Sequence, residues 1–263
     1  MSNKQFFLWL LMMPFLLKAQ ADLTAEQVIG KYQAATAIED LQSTLKYKNT
    51  SKKGRVQERT LEQFILQQDA ATNTYNFLLK FVAPADIKGT STLTLQHLDK
   101  ADDQWLYLPA LRSAKRISAS KKSDRFMGTE MTYEDLSNYL SEPVADYQYK
   151  LLGKEVIDRQ ICFKIEAKPL ATTNTQYSKR ILWIDEATFL QVKANFYNKK
   201  GDLMKVLTTK EIKKIAGTDH HKAHYIQLEN LLTKNKTEVF YSNFVINKGV
   251  NKSIFSKSYI ETL

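Results

Sequence analysis

Three groups of residues in this 263-residue chain are of types that carry chemistry. Asp219, His220, His221 and His224 bring metal-ligating side chains close together in sequence. Zinc accepts His and carboxylate at such spacing. On an extended strand, however, residues 220 and 221 point to opposite faces, and the stretch follows the turn-like Ala216-Gly217-Thr218. An exposed loop without a metal is the expectation. Glu130, Glu134 and Asp135 have the look of paired carboxylates. No nucleophile, general-base partner or Gly-rich phosphate loop accompanies them, so no catalytic set and no cofactor is expected. Glu134 and Asp135 are better placed to support the N-terminus of a short helix. The single cysteine, Cys162, lies in an apolar run and reads as a small buried residue. What remains is non-covalent chemistry. Arg112, Lys115, Arg116, Lys121, Lys122 and Arg125 are opposed only by Asp124. They predict a rim for phosphate headgroups or an acidic partner, at about 1 kcal/mol per cation near an anionic membrane.

The 13 Tyr, 13 Phe and 3 Trp supply the apolar counterpart. Trp105 and Tyr107, in the strand-like Trp105–Pro109, are expected to line a cavity, with Leu106 and Leu108 facing helix or solvent. Phe77, Leu79, Phe81, Leu93, Leu95, Trp183 and Phe196 are further wall candidates, with Val28 and Tyr32 from a helix. Burying an apolar ligand needs this chemistry, since ~0.8 kcal/mol per CH₂ accumulates without directional bonds. A chain of about 16 carbons gains on the order of 10 kcal/mol before entropy costs.

Elements to position these residues are visible in the pattern. Thr24 followed by Gln27 is a capping box, and Val28, Tyr32 and Ala35 recur at helical spacing, predicting a helix over 24–38. A second helix is predicted over Thr132–Leu140, with Thr132 as N-cap. Elsewhere alternation dominates, as in Tyr75, Phe77, Leu79 and Phe81. Turns are expected at Ser51–Gly54, Ala101–Asp103, Gly153-Lys154, Asp185–Thr188 and Lys199–Asp202, while the tail from Gly249 to Leu263 is ambiguous. About 10–11 short strands without alternating helices predict one antiparallel sheet that must curl. Closed by a helix, it becomes an unclosed barrel with a ligand site in its mouth.

Composition narrows the partners. With 43% hydrophobic residues, 8 Gly and 5 Pro, the chain is neither disordered nor collagen-like, and one cysteine excludes an internal disulfide framework. Residues 1–21 read as a cleavable signal peptide, with Lys4, an apolar run from Phe6 to Leu17, and Ala19-Gln20-Ala21. The run is too short to span a membrane. Its removal takes Lys4 and Lys18 and lowers the net charge from +10 to +8. Export to the periplasm follows, which excludes nucleic acid as the reason for the charge and favours transient contact with anionic membrane surfaces. Residues 22–263 then form one domain.

The segments APADIKGT (83–90), QWLYLPALRSAKRISAS (104–120) and FMGTEMTYEDL (126–136) resemble the bacterial outer-membrane lipoprotein-sorting family, relatives of the carrier LolA. The resemblance implies a mainly β, LolA-like half-barrel with short helices as a lid, a cavity for lipid or lipoprotein acyl chains, and no catalytic residue or cofactor. This branch is associated with RND-type inner-membrane exporters, and a monomer is expected. LolA holds its lid through an Arg-Pro pair, where Phe64–Gln68 here has none, so that arginine does not carry over. The resemblance also admits a lipid-sensing periplasmic regulator of RseB type. Such regulators carry a second C-terminal domain, whereas here the strand pattern runs on as one sheet.

Overall fold

A computed structural model of the chain describes residues 23–97, 100–138 and 144–263. The signal segment and the end of the second predicted helix, 139–140, lie outside them. Helix α1 spans Ala25–Thr36. Thr24 Oγ1 accepts the Gln27 backbone N–H at 3.2 Å, and Gln27 Oε1 accepts that of Thr24 at 2.9 Å. These bonds occupy two of the donors a helix start leaves free.

Thirteen strands follow: β1 (Asp40–Thr50), β2 (Val56–Asp69), β3 (Thr74–Ala83), β4 (Ser91–Leu95), β5 (Asp103–Leu108), β6 (Ser113–Arg116), β7 (Tyr147–Ile157), β8 (Gln160–Pro169), β9 (Tyr177–Asp185), β10 (Gln191–Asn198), β11 (Leu203–Lys214), β12 (His221–Asn230) and β13 (Asn235–Ile246). They form one antiparallel sheet in the order 6-5-4-3-2-1-13-12-11-10-9-8-7. β1 pairs with β13, and the sheet stays open between β6 and β7. The connection across that gap carries α2 (Tyr133–Ser137), and α3 (Lys257–Ile260) lies in the C-terminal tail. This is the unclosed, mainly β barrel predicted, with more strands than expected. Among the thirteen, β6 and β12 lack clean alternation. β6 is four residues long, two of them cations, and β12 is partly buried along most of its length.

One expected turn is misplaced. Gly153-Lys154 lies inside β7, where Gly153 takes φ 120° at a bulge. The chain reverses instead at Asp158-Arg159, both at positive φ (47° and 72°), as a two-residue hairpin of the primed type requires. Glycine is the usual sign of such a turn, and neither residue supplied it.

Register assigns the faces, because directly paired residues share one. Leu61↔Phe81, Ile65↔Phe77 and Leu45↔Tyr241 lie on the inner face, the face that carries α1 and α2. On one side of the barrel α1 seats Val28 and Ile29 on Phe163, Ile165, Leu182 and Ile184. On the other, Phe126 and Tyr133 pack on Tyr47, Leu61 and Phe81, with Phe126 ring centroids 5.8–6.4 Å from those of Tyr47, Phe81 and Tyr133. The outer face has its own cover. Leu78↔Leu93↔Trp105 lies there beneath Phe255 and Ile260 of the tail.

Candidate functional site

Between α1, α2 and strands β9–β13 the inner face is left partly unfilled, forming a cavity of about 200 Å³. Ile29, Tyr32 and Thr36 form one wall, Glu134 and Asp135 another, and Leu182, Phe196, Leu207, Ile226, Leu228 and Tyr241 the floor. Ligand pockets hold roughly 300–1,000 Å³. At about 200 Å³ the cavity falls below that range.

Of the predicted wall residues, Tyr32 and Phe196 line this cavity. Val28 is buried beneath α1. Phe77, Leu79 and Phe81 face inward as expected, but Phe77 packs with Leu41, Ile65 and Ile246, and the other two are covered by Phe126 and Tyr133. Leu93, Leu95, Trp105 and Tyr107 belong to the outer cluster under the tail, so the face expected for Trp105 and Tyr107 is inverted. Trp105–Leu108 is apolar at every position, which leaves alternation nothing to report. The polar neighbour Gln104 points inward, donating to Thr94 Oγ1 at 3.3 Å and to the Tyr133 carbonyl at 3.2 Å. Trp183 is also on the outer face, with Lys164 and Lys193 over its ring at 5.3 and 4.7 Å.

The six cations do not line the cavity. Arg116 pairs with Asp103, Lys122 approaches Asp102 at 4.0 Å, and Arg125 meets Glu130 at 2.7 Å. Arg112, Lys115 and Lys121 are exposed. Among the described residues no three His, Cys, Asp or Glu side chains are placed to hold a metal ion. Asp219 pairs with Lys214 at 3.0 Å, and the His224 ring packs on Phe244. Cys162 is buried, and that burial raises its thiol pKa to about 11.

The carboxylates set aside as helix support do more than cap. Asp135 does accept the Thr132 N–H at 2.8 Å, but its carboxylate also accepts the Tyr177 hydroxyl at 2.7 Å and Lys205 Nζ at 3.0 Å. Lys205 is 3% exposed. Glu134 accepts the Thr175 hydroxyl and the Gln176 backbone N–H. Burial pushes the Glu134 carboxyl pKa up, and the Asp135 charge adds to this. Burial also holds the Tyr177 hydroxyl well above its ordinary range, again with Asp135 reinforcing it. Glu130, 1% exposed, accepts from Asn230 at 2.8 Å and Asn235 at 3.0 Å. On β2, Arg59 donates to the Met127 carbonyl and lies over Phe81. The segment 126–137 is thus fastened to β2, β9, β11, β12 and β13 by polar groups far away in sequence. Arg59 on β2 thus holds a carbonyl of the segment 126–137, five residues before Phe64–Gln68.

A family model described as that of an uncharacterized protein matches residues 73–262. Among solved structures, the chain is 31% identical to an outer-membrane lipoprotein-sorting protein domain from Vibrio parahaemolyticus (TM-score 0.82, covering 90% of this chain and 98% of that one). It is 28% identical to a DUF1329 family protein from Desulfovibrio piger (TM-score 0.83, 89% and 96%). A LolA superfamily protein from Nitrosomonas europaea, 20% identical, shares the fold (TM-score 0.69, 90% and 100%). No curated protein matches the sequence.

Proposed function

The chain belongs to the outer-membrane lipoprotein-sorting family, and on that premise we propose that it is a periplasmic carrier that buries lipid or lipoprotein acyl chains in the cavity between α1, α2 and β9–β13. The observation that carries this reading is the partly filled inner face, apolar on its floor and roofed by two short helices rather than by a second sheet. Transport by such a cavity is reversible burial. The helices swing off, the chain enters, and about 0.8 kcal/mol per buried CH₂ offsets the lost lid contacts. Residues 22–263 act as one carrier domain behind a leader of residues 1–21, and the rim cations 112–125 meet headgroups or an acidic partner. The membrane partner in this proposal is an RND-type exporter.

A cavity-filling substitution tests the site without introducing charge. Leu207→Trp, checked for folding by circular dichroism, is expected to weaken binding of a fluorescent fatty-acid probe by roughly tenfold or more, because the indole occupies volume the chain needs. Unchanged affinity in the folded variant overturns the assignment of the cavity, and a wild-type protein that binds no such probe overturns the carrier reading.

A further inference from the structure

Resting on the acyl-chain reading above, we propose that the cargo is an amphiphile with an anionic head, and that Lys222 of β12 receives that head at the end of the cavity where α1 stops. Lys222 lines the cavity and shares its face of β12 with Ile226 and Leu228, which also line it. From Lys222 to Leu228 the strand runs about 20 Å, long enough for an acyl chain to lie along it. The cavity is therefore apolar over Phe196, Leu207, Ile226 and Leu228 and cationic at one end.

Lys222 is short of partners. Its Nζ makes one long hydrogen bond, 3.4 Å, to the Thr36 carbonyl in the last turn of α1. Among the described residues no carboxylate lies within 4.0 Å of it, although many other lysines of this chain have one, such as Lys205 with Asp135 and Lys179 with Glu166. An ammonium offers three donors, and one weak acceptor leaves most of that capacity unused. The ionisable groups on the cavity wall do not supply the missing charge. Glu134 and Asp135 are engaged by Thr175, Gln176, Tyr177 and Lys205, while Arg180 and His221 are themselves cationic or neutral. Tyr32, Tyr149, Tyr177 and Tyr241 bring hydroxyls rather than carboxylates to the wall. Burial lowers the Lys222 ammonium pKa to about 8, which leaves it mostly charged at neutral pH in a site that disfavours charge. An entering carboxylate or phosphate relieves that cost, and a neutral head does not.

Carboxylate and phosphate heads share this chemistry, and ligand choice separates them. Full-length protein, Lys222→Met and Lys222→Arg are titrated with palmitate, hexadecyl phosphate and hexadecanol, each kept below the concentration at which it aggregates or separates from water. The wild type is expected to bind the anions roughly tenfold tighter than the alcohol. Lys222→Met should lose that advantage while its affinity for hexadecanol holds, and Lys222→Arg should keep it. The tighter of the two anions identifies the head. Equal wild-type affinity for all three ligands, or a Met variant that loses the alcohol as much as the anions, overturns the role of Lys222. Failure of all three to bind overturns the acyl-chain reading itself, and with it the proposal.

Discussion

Lys205 and Asp135 provide the sharpest test of how the lid is held. Lys205 Nζ sits 3.0 Å from Asp135 Oδ2, and the two side chains are 3% and 13% exposed. Replacing Lys205 with Met leaves the Asp135 carboxylate with the Tyr177 hydroxyl and the Thr132 N–H but no cation. Removing one partner of a buried pair costs about 3–5 kcal/mol, and the residual exposure of Asp135 places the expectation near 3 kcal/mol. Asp135→Asn leaves Lys205 with the Tyr177 hydroxyl at 3.1 Å but no anion, and replaces the carboxylate that accepts the Thr132 N–H, for a similar loss. The double variant buries neither charge, so its loss should fall short of the sum of the singles by about 2 kcal/mol. Urea unfolding of the four proteins at pH 7 measures this coupling. Stopped-flow mixing with a fatty-acid probe should then show faster entry in the double variant, whose lid is held by fewer charge-assisted bonds. A coupling below about 0.5 kcal/mol would refute the pairing as a latch. Strong coupling with unchanged entry rates would refute α2 as the gate.

Three further outcomes follow from the packing. Phe126→Ala removes a fully buried ring between Tyr47, Phe81 and Tyr133 and should cost about 3–5 kcal/mol in chemical denaturation. Tyr107→Asp should detach the tail that packs on the outer face, seen as new proteolytic cleavage between residues 250 and 263, while probe affinity stays within about threefold because the cavity lies on the other face. Lys222→Met should stabilise the empty protein at pH 7, since a folded pKa of about 8 against 10.5 is worth up to roughly 3 kcal/mol. Between those two values the unfolded chain binds more protons, so wild-type stability gains from this residue as pH rises. The advantage of the variant should accordingly vanish near pH 10.5, as urea curves at the two pH values will show.

Local signals carried α1 and α2, while α3 in the tail was not predicted. Thr24 with Gln27 and Thr132 with Asp135 are three residues apart, and both capping boxes form. The shared parity of Tyr75, Phe77, Leu79 and Phe81 carried the inner face of β3, with Asn76 and Lys80 marking the other face. Alternation failed on β5, where an apolar tail covers the outer face and both sides of the strand are consequently apolar. The structure has thirteen strands rather than ten or eleven, and the short cationic β6 and partly buried β12 lack a period of two. The site depends on contacts across long sequence separations. Lys205 meets Asp135 across 70 residues, and Lys222 reaches the end of α1 across 186. A lysine between Met204 and Val206 marks an inward charge in retrospect, but its partner is set by the closure of β1 on β13 and the return of 126–137 into the barrel. Of the six cations expected to form a headgroup or partner-binding rim, Arg116, Lys122 and Arg125 each face a carboxylate, which the local sequence does not reveal.

The carrier reading meets its most direct test in photo-crosslinking with a diazirine-bearing palmitate, followed by peptide mapping. If acyl chains enter between α1, α2 and β9–β13, adducts fall on Tyr32, Phe196, Leu207, Ile226 and Leu228, and Leu207→Trp suppresses them. Adducts confined to the outer face around Trp105, Tyr107 or Trp183, or labelling that Leu207→Trp leaves unchanged, would contradict it.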